Sequence, residues 1–160
     1  MPQVNNGDRF PDLPLRVLDT GDTRLAELTG GRWSVVTFYR DDACPRCQAY
    51  MDRVAQSRDD VIASNVQIVA ISADTEMGAR AVRDQHDLWF PVAHSAPLSV
   101  ADELGLYTNP GRGCFEPAFF VLDPDGRVRH ASIQSGPAAR PAIEELLALV
   151  AKKRKAPATA

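Results

Sequence analysis

The stretch "VTFYRDDACPRCQAYM", residues 36–51, decides the fold, because an apolar run ends there in two cysteines three positions apart. The run itself, "WSVVTFY" (33–39), is β-branched and aromatic and has apolar residues on both faces, which predicts a central strand buried on both sides. With Pro45 as the first helical residue, Cys44 is expected at the N-cap and Cys47 at the third position of a helix. A buried strand is predicted to end where this helix begins.

The rest of the chain alternates between strand-like and helix-like segments. "VQIVAIS" (66–72) predicts another buried strand, so the cysteines lie within a strand–helix–strand unit. "AFFVLD" and "RVRHASI" flank "DPDG" and predict an antiparallel hairpin. Near the end of the chain, apolar residues recur at the spacing of an amphipathic helix: Ile143, Leu146, Leu147 and Val150. The predicted fold class is α/β, with a central mixed sheet and helices on its faces.

Shorter segments complete this assignment. "LPLRVLD" (13–19) predicts an edge strand, and the "GDT" that follows predicts a turn. The helix after Cys44 is expected to run to about Arg58. Asp74 or Thr75 can cap a helix that continues to about His86, and "PLSVADELGL" predicts a short helix that ends near Gly105.

Composition limits the kind of protein this is. The 160 residues, 44% of them hydrophobic, fit one globular domain over 1–153, followed by a flexible tail over 154–160. No apolar run approaches the roughly 20 residues that cross a bilayer, and no secretion signal is recognisable, so we expect a soluble cytoplasmic protein that binds no membrane. A net charge of −3 without a basic stripe argues against nucleic-acid binding.

The cysteine pair admits three interpretations: half of a metal site, a structural disulfide, or a redox centre. Three cysteines without a secretion signal argue against a disulfide framework. Zinc needs two further ligands, and the remaining candidates have no paired spacing: Cys114, His86, His94 and His130. At a helix N-terminus the free amide donors and the helix dipole favour a thiolate, and Arg46 adds a cation. The sequence therefore predicts redox chemistry, with no metal and no cofactor.

Several motifs in order resemble the alkyl hydroperoxide reductase and thiol-specific antioxidant family, the peroxiredoxin-like proteins. They are "GDRFPDLPL", "GDTRLAELTGGRWSVVTFYRDDACPRC", "VQIVAISAD", "LSVADELGLY" and "EPAFFVLDPDGRVRH", and the resemblance covers about residues 6–150. It implies a thioredoxin-like fold with an N-terminal β extension. It also implies that Pro117 is a cis-proline facing the active cysteines.

The chain departs from the family pattern at the chemistry. The alignment places Cys47 at the peroxidatic position, Arg40 where the family has a proline, and Cys44 where it has a threonine. The family's arginine at the start of the late strand falls near Glu116, where a carboxylate would oppose thiol activation unless it shuttles a proton. These departures favour a dithiol reductase in which Cys44 is the nucleophile and Cys47 the resolver.

Two further residues are candidates for supporting roles. Cys114 lies three residues before Pro117 and is either a buried inert thiol or a third thiol in exchange. Arg112 is either a solvated loop charge or a replacement for the missing arginine.

Three hypotheses follow. In the first, the protein reduces hydroperoxides through the Cys44/Cys47 couple, with Cys47 as the attacking thiolate. In the second, it exchanges dithiols with protein or small disulfides, with Cys44 leading. In the third, the pair is a redox sensor without turnover. We favour the first narrowly, with a thioredoxin- or glutathione-type reductant as partner. A homodimer is one possible oligomeric state. In either enzyme we expect oxidation to join Cys44 to Cys47 and to leave Cys114 free.

Overall fold

The computed structural model describes residues 4–42, 44–134 and 140–155. Strands and helices alternate along most of this chain. In order, they are β1 (Pro14–Val17), β2 (Gly21–Arg24), α1 (Leu25–Thr29), β3 (Ser34–Phe38), α2 (Pro45–Gln56), α3 (Arg58–Ala63), β4 (Gln67–Ile71), α4 (Glu76–His86), β5 (Val92–His94), α5 (Val100–Leu104), β6 (Thr108–Asn109), β7 (Cys114–Phe115), β8 (Ala118–Leu122), β9 (Val128–Ile133) and α6 (Ile143–Lys155). The predicted α/β class is confirmed.

One mixed sheet organises the molecule, with strand order β2-β1-β5-β4-β3-β8-β9. The β3–β4 and β4–β5 pairs are parallel, while β3–β8 and β8–β9 are antiparallel. All five residues of β3 are buried, as expected for a strand with neighbours on both sides and helices on both faces. The central strand and the late hairpin predicted from sequence are confirmed.

Each face of the sheet packs against its own set of helices. One apolar cluster joins α2, α4 and α6 to alternate sheet residues such as Val35 and Phe119. The other cluster joins α1 and α5 to the sheet residues that point to the opposite face, including Val36 and Phe120. The predicted stripe of α6 is buried at all four positions, and α4 is capped by the Thr75 hydroxyl, which accepts from the Gly78 N–H at 3.1 Å.

Two expectations for the first strands were wrong. The first strand is not at the edge, because β1 pairs with both β2 and β5. The "GDT" segment opens β2; the turn comes before it, where Asp19 has a φ of 64° and the Thr20 N–H donates to Val17. β2 has no buried residue, so no apolar alternation indicated a strand.

The helix after Cys44 also differs from its prediction. It ends at Gln56, and a separate helix, α3, follows Ser57. At the other end of the chain, α6 includes Arg154 and Lys155 of the predicted tail, and residues 156–160 lie outside the described part. Within the described residues, no helix has both the length and the apolarity to cross a membrane.

Candidate active site

The two cysteines of the CPRC motif open helix α2 on the face of the sheet that also carries α4 and α6. Cys44 has an extended backbone, with φ −94° and ψ 105°, so it lies outside the helix while Pro45 begins it. Its sulfur accepts the backbone N–H of Cys47 at 3.4 Å, which is the bond that an N-cap side chain makes to the third helical residue. The predicted N-cap and N3 positions are confirmed. Both side chains are buried, at 5% and 2% exposure.

The Cys44 thiol is the more acidic of the pair. Burial raises its pKa, but hydrogen bonds from the side chain and backbone of Cys47 and the positive charges of Arg40 and Arg140 outweigh burial. The net result is a pKa below the ordinary thiol value. Arg46, the expected cation, is exposed on the first turn of α2. The two arginines named here, Arg40 and Arg140, both lie outside the CPRC motif.

The Cys47 sulfur lies deeper and meets a different set of groups. The guanidinium of Arg140 donates to it from Nη2 at 3.1 Å. Burial raises the pKa of the Cys47 thiol, and its hydrogen bond to Cys44 raises that pKa further, against the lowering effects of the Arg40 backbone and of Arg140. Of the two thiols, Cys44 therefore loses its proton at the lower pH, and Cys47 keeps its proton to higher pH. Because the sulfurs are adjacent, a charge on one disfavours a charge on the other.

Arg40 follows the end of β3 and forms an ion pair with Glu116, with 4.0 Å between Nε and Oε2. The Glu116 side chain is 9% exposed and that of Arg40 is 22% exposed. Within the described part of the chain, neither Arg40 Nε nor Glu116 Oε2 has a hydrogen-bond partner. The carboxylate expected at the place of the family's arginine is therefore paired with an arginine that follows the neighbouring strand.

Cys114 lies on the other side of Arg40, at the wall of a cavity of about 240 Å³. Arg112 also lines this cavity. Its guanidinium forms a bidentate ion pair with Asp41, with 3.0 Å from Nη2 to each carboxylate oxygen. Burial raises the pKa of the Cys114 thiol, and the lowering effect of Arg40 does not offset it. Arg112 is thus paired with Asp41, whereas Arg40 is the arginine that interacts with the sulfurs of Cys44 and Cys114.

The expected cis bond at Pro117 is wrong, since no peptide bond is cis among the described residues. The backbone there is held by the preceding ribbon: β7 pairs with β6, and the Glu116 N–H donates to Tyr107. A trans bond is also the lower-energy form for most X–Pro pairs, by roughly 0.5–1 kcal/mol. Pro117 therefore enters β8 as an ordinary strand-start proline.

Sequence reasoning missed Arg140, which is 93 positions from Cys47 and belongs to no motif. Its place is fixed by the start of α6, where Tyr50 of α2 donates to the Pro141 carbonyl at 2.6 Å. The metal interpretation gains no support, since the described residues hold no group of three or more potential ligands. Two arginines and two sulfurs therefore define the candidate site.

A protein-family model described as the AhpC/TSA family matches residues 6–131. The chain is 25% identical over 167 residues to "Alkyl hydroperoxide reductase C" from Mycobacterium tuberculosis, covering 93% of this chain and 85% of the relative. Among solved structures, M. tuberculosis AhpC superposes with a TM-score of 0.81 at 22% identity, covering 99% and 98% of the two chains. Peroxidoxin BcpB from the same organism gives a TM-score of 0.82 at 20% identity, covering 94% and 98%. The resemblance and the thioredoxin-like fold expected from it are confirmed.

Proposed function

The chain belongs to the AhpC/TSA family of thiol-dependent peroxidases, and from this premise we propose that it reduces hydroperoxides through the Cys44/Cys47 couple. The observation that carries the proposal is the surroundings of the Cys47 sulfur. Arg140 donates to it from one side, and Cys44, whose pKa is lowered, lies next to it. A guanidinium beside a sulfur stabilises negative charge there and on an oxygen that leaves from it.

The proposed reaction begins with a proton transfer from the Cys47 thiol to the Cys44 sulfur. As the Cys47 sulfur attacks the distal oxygen, the Cys44 thiolate takes the Cys47 proton. The O–O bond breaks, the alkoxide leaves as an alcohol after gaining a proton from solvent, and Cys47 becomes a sulfenic acid. Cys44 then attacks the Cys47 sulfur and forms the disulfide, while the Cys44 proton passes to the hydroxyl, which leaves as water. One hydroperoxide has been reduced by two electrons, and two thiols have been oxidised.

A reductant must return those two electrons. We propose a thioredoxin- or glutathione-type thiol partner, because a dithiol on a helix N-terminus regenerates by exchange with another thiol. A reducing compartment such as the cytoplasm fits the three free cysteines of the structure. The homodimer stays a prediction.

One observation favours the second candidate function, a dithiol–disulfide reductase. The lowered pKa belongs to Cys44 and the raised one to Cys47, which is the order expected when the N-cap thiolate attacks a disulfide and the inner thiol resolves it. The two functions share the final disulfide and differ in the first attacker and in the substrate.

Single cysteine variants separate the two functions. If Cys47 attacks peroxide, Cys44→Ser consumes one equivalent in stopped-flow measurements and gives a dimedone adduct, while Cys47→Ser consumes none. If Cys44 attacks disulfides, Cys47→Ser instead accumulates mixed disulfides with partner proteins, and insulin reduction is lost in Cys44→Ser. Cys114→Ser is the matched control. A Cys44→Ser protein without peroxide loss or adduct, beside a Cys47→Ser protein that captures partners, would overturn the peroxidase assignment.

A further inference from the structure

We propose that Glu116 is a positioning residue for the dithiol: its buried carboxylate holds Arg40 beside Cys44, and it acts on the Cys44 sulfur only through that arginine. The inference rests on the proposed role of the Cys44/Cys47 couple. It gives a function to two positions at which the sequence departs from the family pattern, and it assigns to neither of them any contact with substrate.

The sheet register brings the two residues together. β3 and β8 are antiparallel, and Phe38 lies opposite Ala118. In an antiparallel pair, two residues after Phe38 correspond to two residues before Ala118, so Arg40 lies opposite Glu116. The intervening Pro117 has no N–H to donate, so the ladder ends and the ion pair continues the same cross-strand relationship through side chains. The pairing is therefore a property of the register.

Because the carboxylate of Glu116 is buried, its contact with Arg40 restrains the position of the Arg40 side chain. An ionised carboxylate that is nine-tenths buried is costly unless a cation compensates it, and Arg40 is the partner that the structure provides. Arg40 also has a side-chain hydrogen bond with Cys114, but Glu116 is the carboxylate with which it forms an ion pair, and 22% of the Arg40 side chain is exposed. Glu116 keeps the guanidinium inside, where its charge acts on Cys44 and Cys114.

The two thiols respond differently to this arrangement. Arg40 lowers the pKa of both thiols, but at Cys114 burial outweighs that effect and raises the pKa, with Asp41 and Glu116 contributing in the same direction. Glu116 therefore opposes Arg40 at Cys114, while at Cys44 its part is to hold the arginine in place. An uncompensated arginine in the same place would favour both thiolates.

A double-mutant cycle tests whether Glu116 acts through Arg40. The readout is the pH dependence of Cys44 alkylation, resolved by peptide mass spectrometry in the full chain, because a merely structural role would not move its midpoint. Glu116→Gln and Arg40→Gln are each expected to move the midpoint to higher pH and to slow labelling at neutral pH by about threefold to tenfold. The double variant should label no more slowly than Arg40→Gln alone.

Three comparisons make the test discriminating. Glu116→Asp keeps the carboxylate and should restore part of the shift. Arg112→Gln removes an equal charge from the other side of the same cavity and should leave the Cys44 midpoint in place. Faster labelling in Glu116→Gln, an equal slowing by Glu116→Gln in the Arg40→Gln background, or an equal shift in Arg112→Gln would each overturn the inference.

The outcome is separable from that of the proposed function, because alkylation needs no turnover. If the midpoints of Cys44 alkylation shift but no peroxide is consumed, the inference holds and the peroxidase function fails. If the midpoints do not shift but peroxide is fully consumed, the inference fails and the peroxidase function holds. Should Glu116→Gln not fold, Glu116→Asp and Arg40→Lys give the same cycle with milder changes. In that cycle Glu116→Asp should shift the midpoint in the wild-type background and not in Arg40→Lys, and a shift in both would overturn the inference.

Discussion

Cys44 and Cys114 are a matched pair of buried thiols with one arginine between them, yet their chemistry is opposite. Both are at most 5% exposed, and Arg40 interacts with both. Burial raises both pKa values, but only at Cys44 do hydrogen bonds and charges reverse the effect. The difference lies in hydrogen bonds: the side chain and the backbone N–H of Cys47 both bond to Cys44, which caps a 12-residue helix, whereas Cys114 lies in a two-residue strand. A shared cation does not activate a thiol without the amide donors of a helix terminus.

The largest expected effect is on turnover. Cys44→Ser removes one half of the disulfide couple and should lower steady-state hydroperoxide reduction with a thiol reductant by about a hundredfold or more. Cys114→Ser should stay within about a factor of two, because this thiol takes no part in the cycle. The measurement is peroxide consumption at saturating reductant. Comparable losses in the two variants would erase the distinction between the two thiols.

The distribution of disulfides sharpens the same comparison. After one equivalent of peroxide, nearly all molecules should hold a bond between Cys44 and Cys47, since cysteines at i and i+3 on a first helical turn meet disulfide geometry with little backbone movement. Cys114 should remain a thiol. Non-reducing peptide mapping measures both, and Cys114 bridged to either partner in most molecules would contradict the assignment.

Labelling against pH tests the two environments directly. Because the pKa of Cys44 is lowered and that of Cys114 is raised, the Cys44 thiolate forms at a lower pH than the Cys114 thiolate. At neutral pH, iodoacetamide should therefore label Cys44 at least about tenfold faster than Cys114. The rates come from mass spectrometry at low reagent excess. Equal rates, or a faster Cys114, would show that the helix terminus does not decide thiol acidity here.

The smallest effect is on stability, where the order of the two sites reverses. Serine is a preferred N-cap, so Cys44→Ser should change the free energy of unfolding by less than about 0.5 kcal/mol. Cys114→Ser places a hydroxyl in a buried ribbon beside Phe115 and should cost about 1 kcal/mol. Urea unfolding of the reduced proteins compares them. A larger loss at Cys44 would mean that its sulfur contributes packing which the cap does not replace.

The helix that carries the site could be predicted because its signals are local. The buried run before it and Pro45 after Cys44 fix where the strand ends and the helix begins. β2 could not be predicted, because an edge strand with four polar or small residues buries nothing and has no periodic pattern. Local patterning thus predicted the elements whose residues are buried.

The charges of the site were not predictable in this way. Arg40 and Glu116 are 76 positions apart by their numbering, and their contact follows from a register that only the folded sheet defines. Arg140 reaches Cys47 through the placement of α6, which the apolar stripe predicts as a helix without giving its position along the sheet. Arg46 was favoured because it is adjacent in sequence, whereas Arg40 and Arg140, which lower the pKa of Cys44, come from outside the motif.

The contact between Arg140 and Cys47 also has a consequence for biosynthesis. Translation proceeds from the N-terminus, so both cysteines of the motif leave the ribosome well before Arg140 does. During that interval the strand–helix–strand unit can form while the Cys47 sulfur still lacks its guanidinium donor. The dithiol therefore acquires its complete set of charges only when α6 docks, which delays full reactivity until that helix has been synthesised.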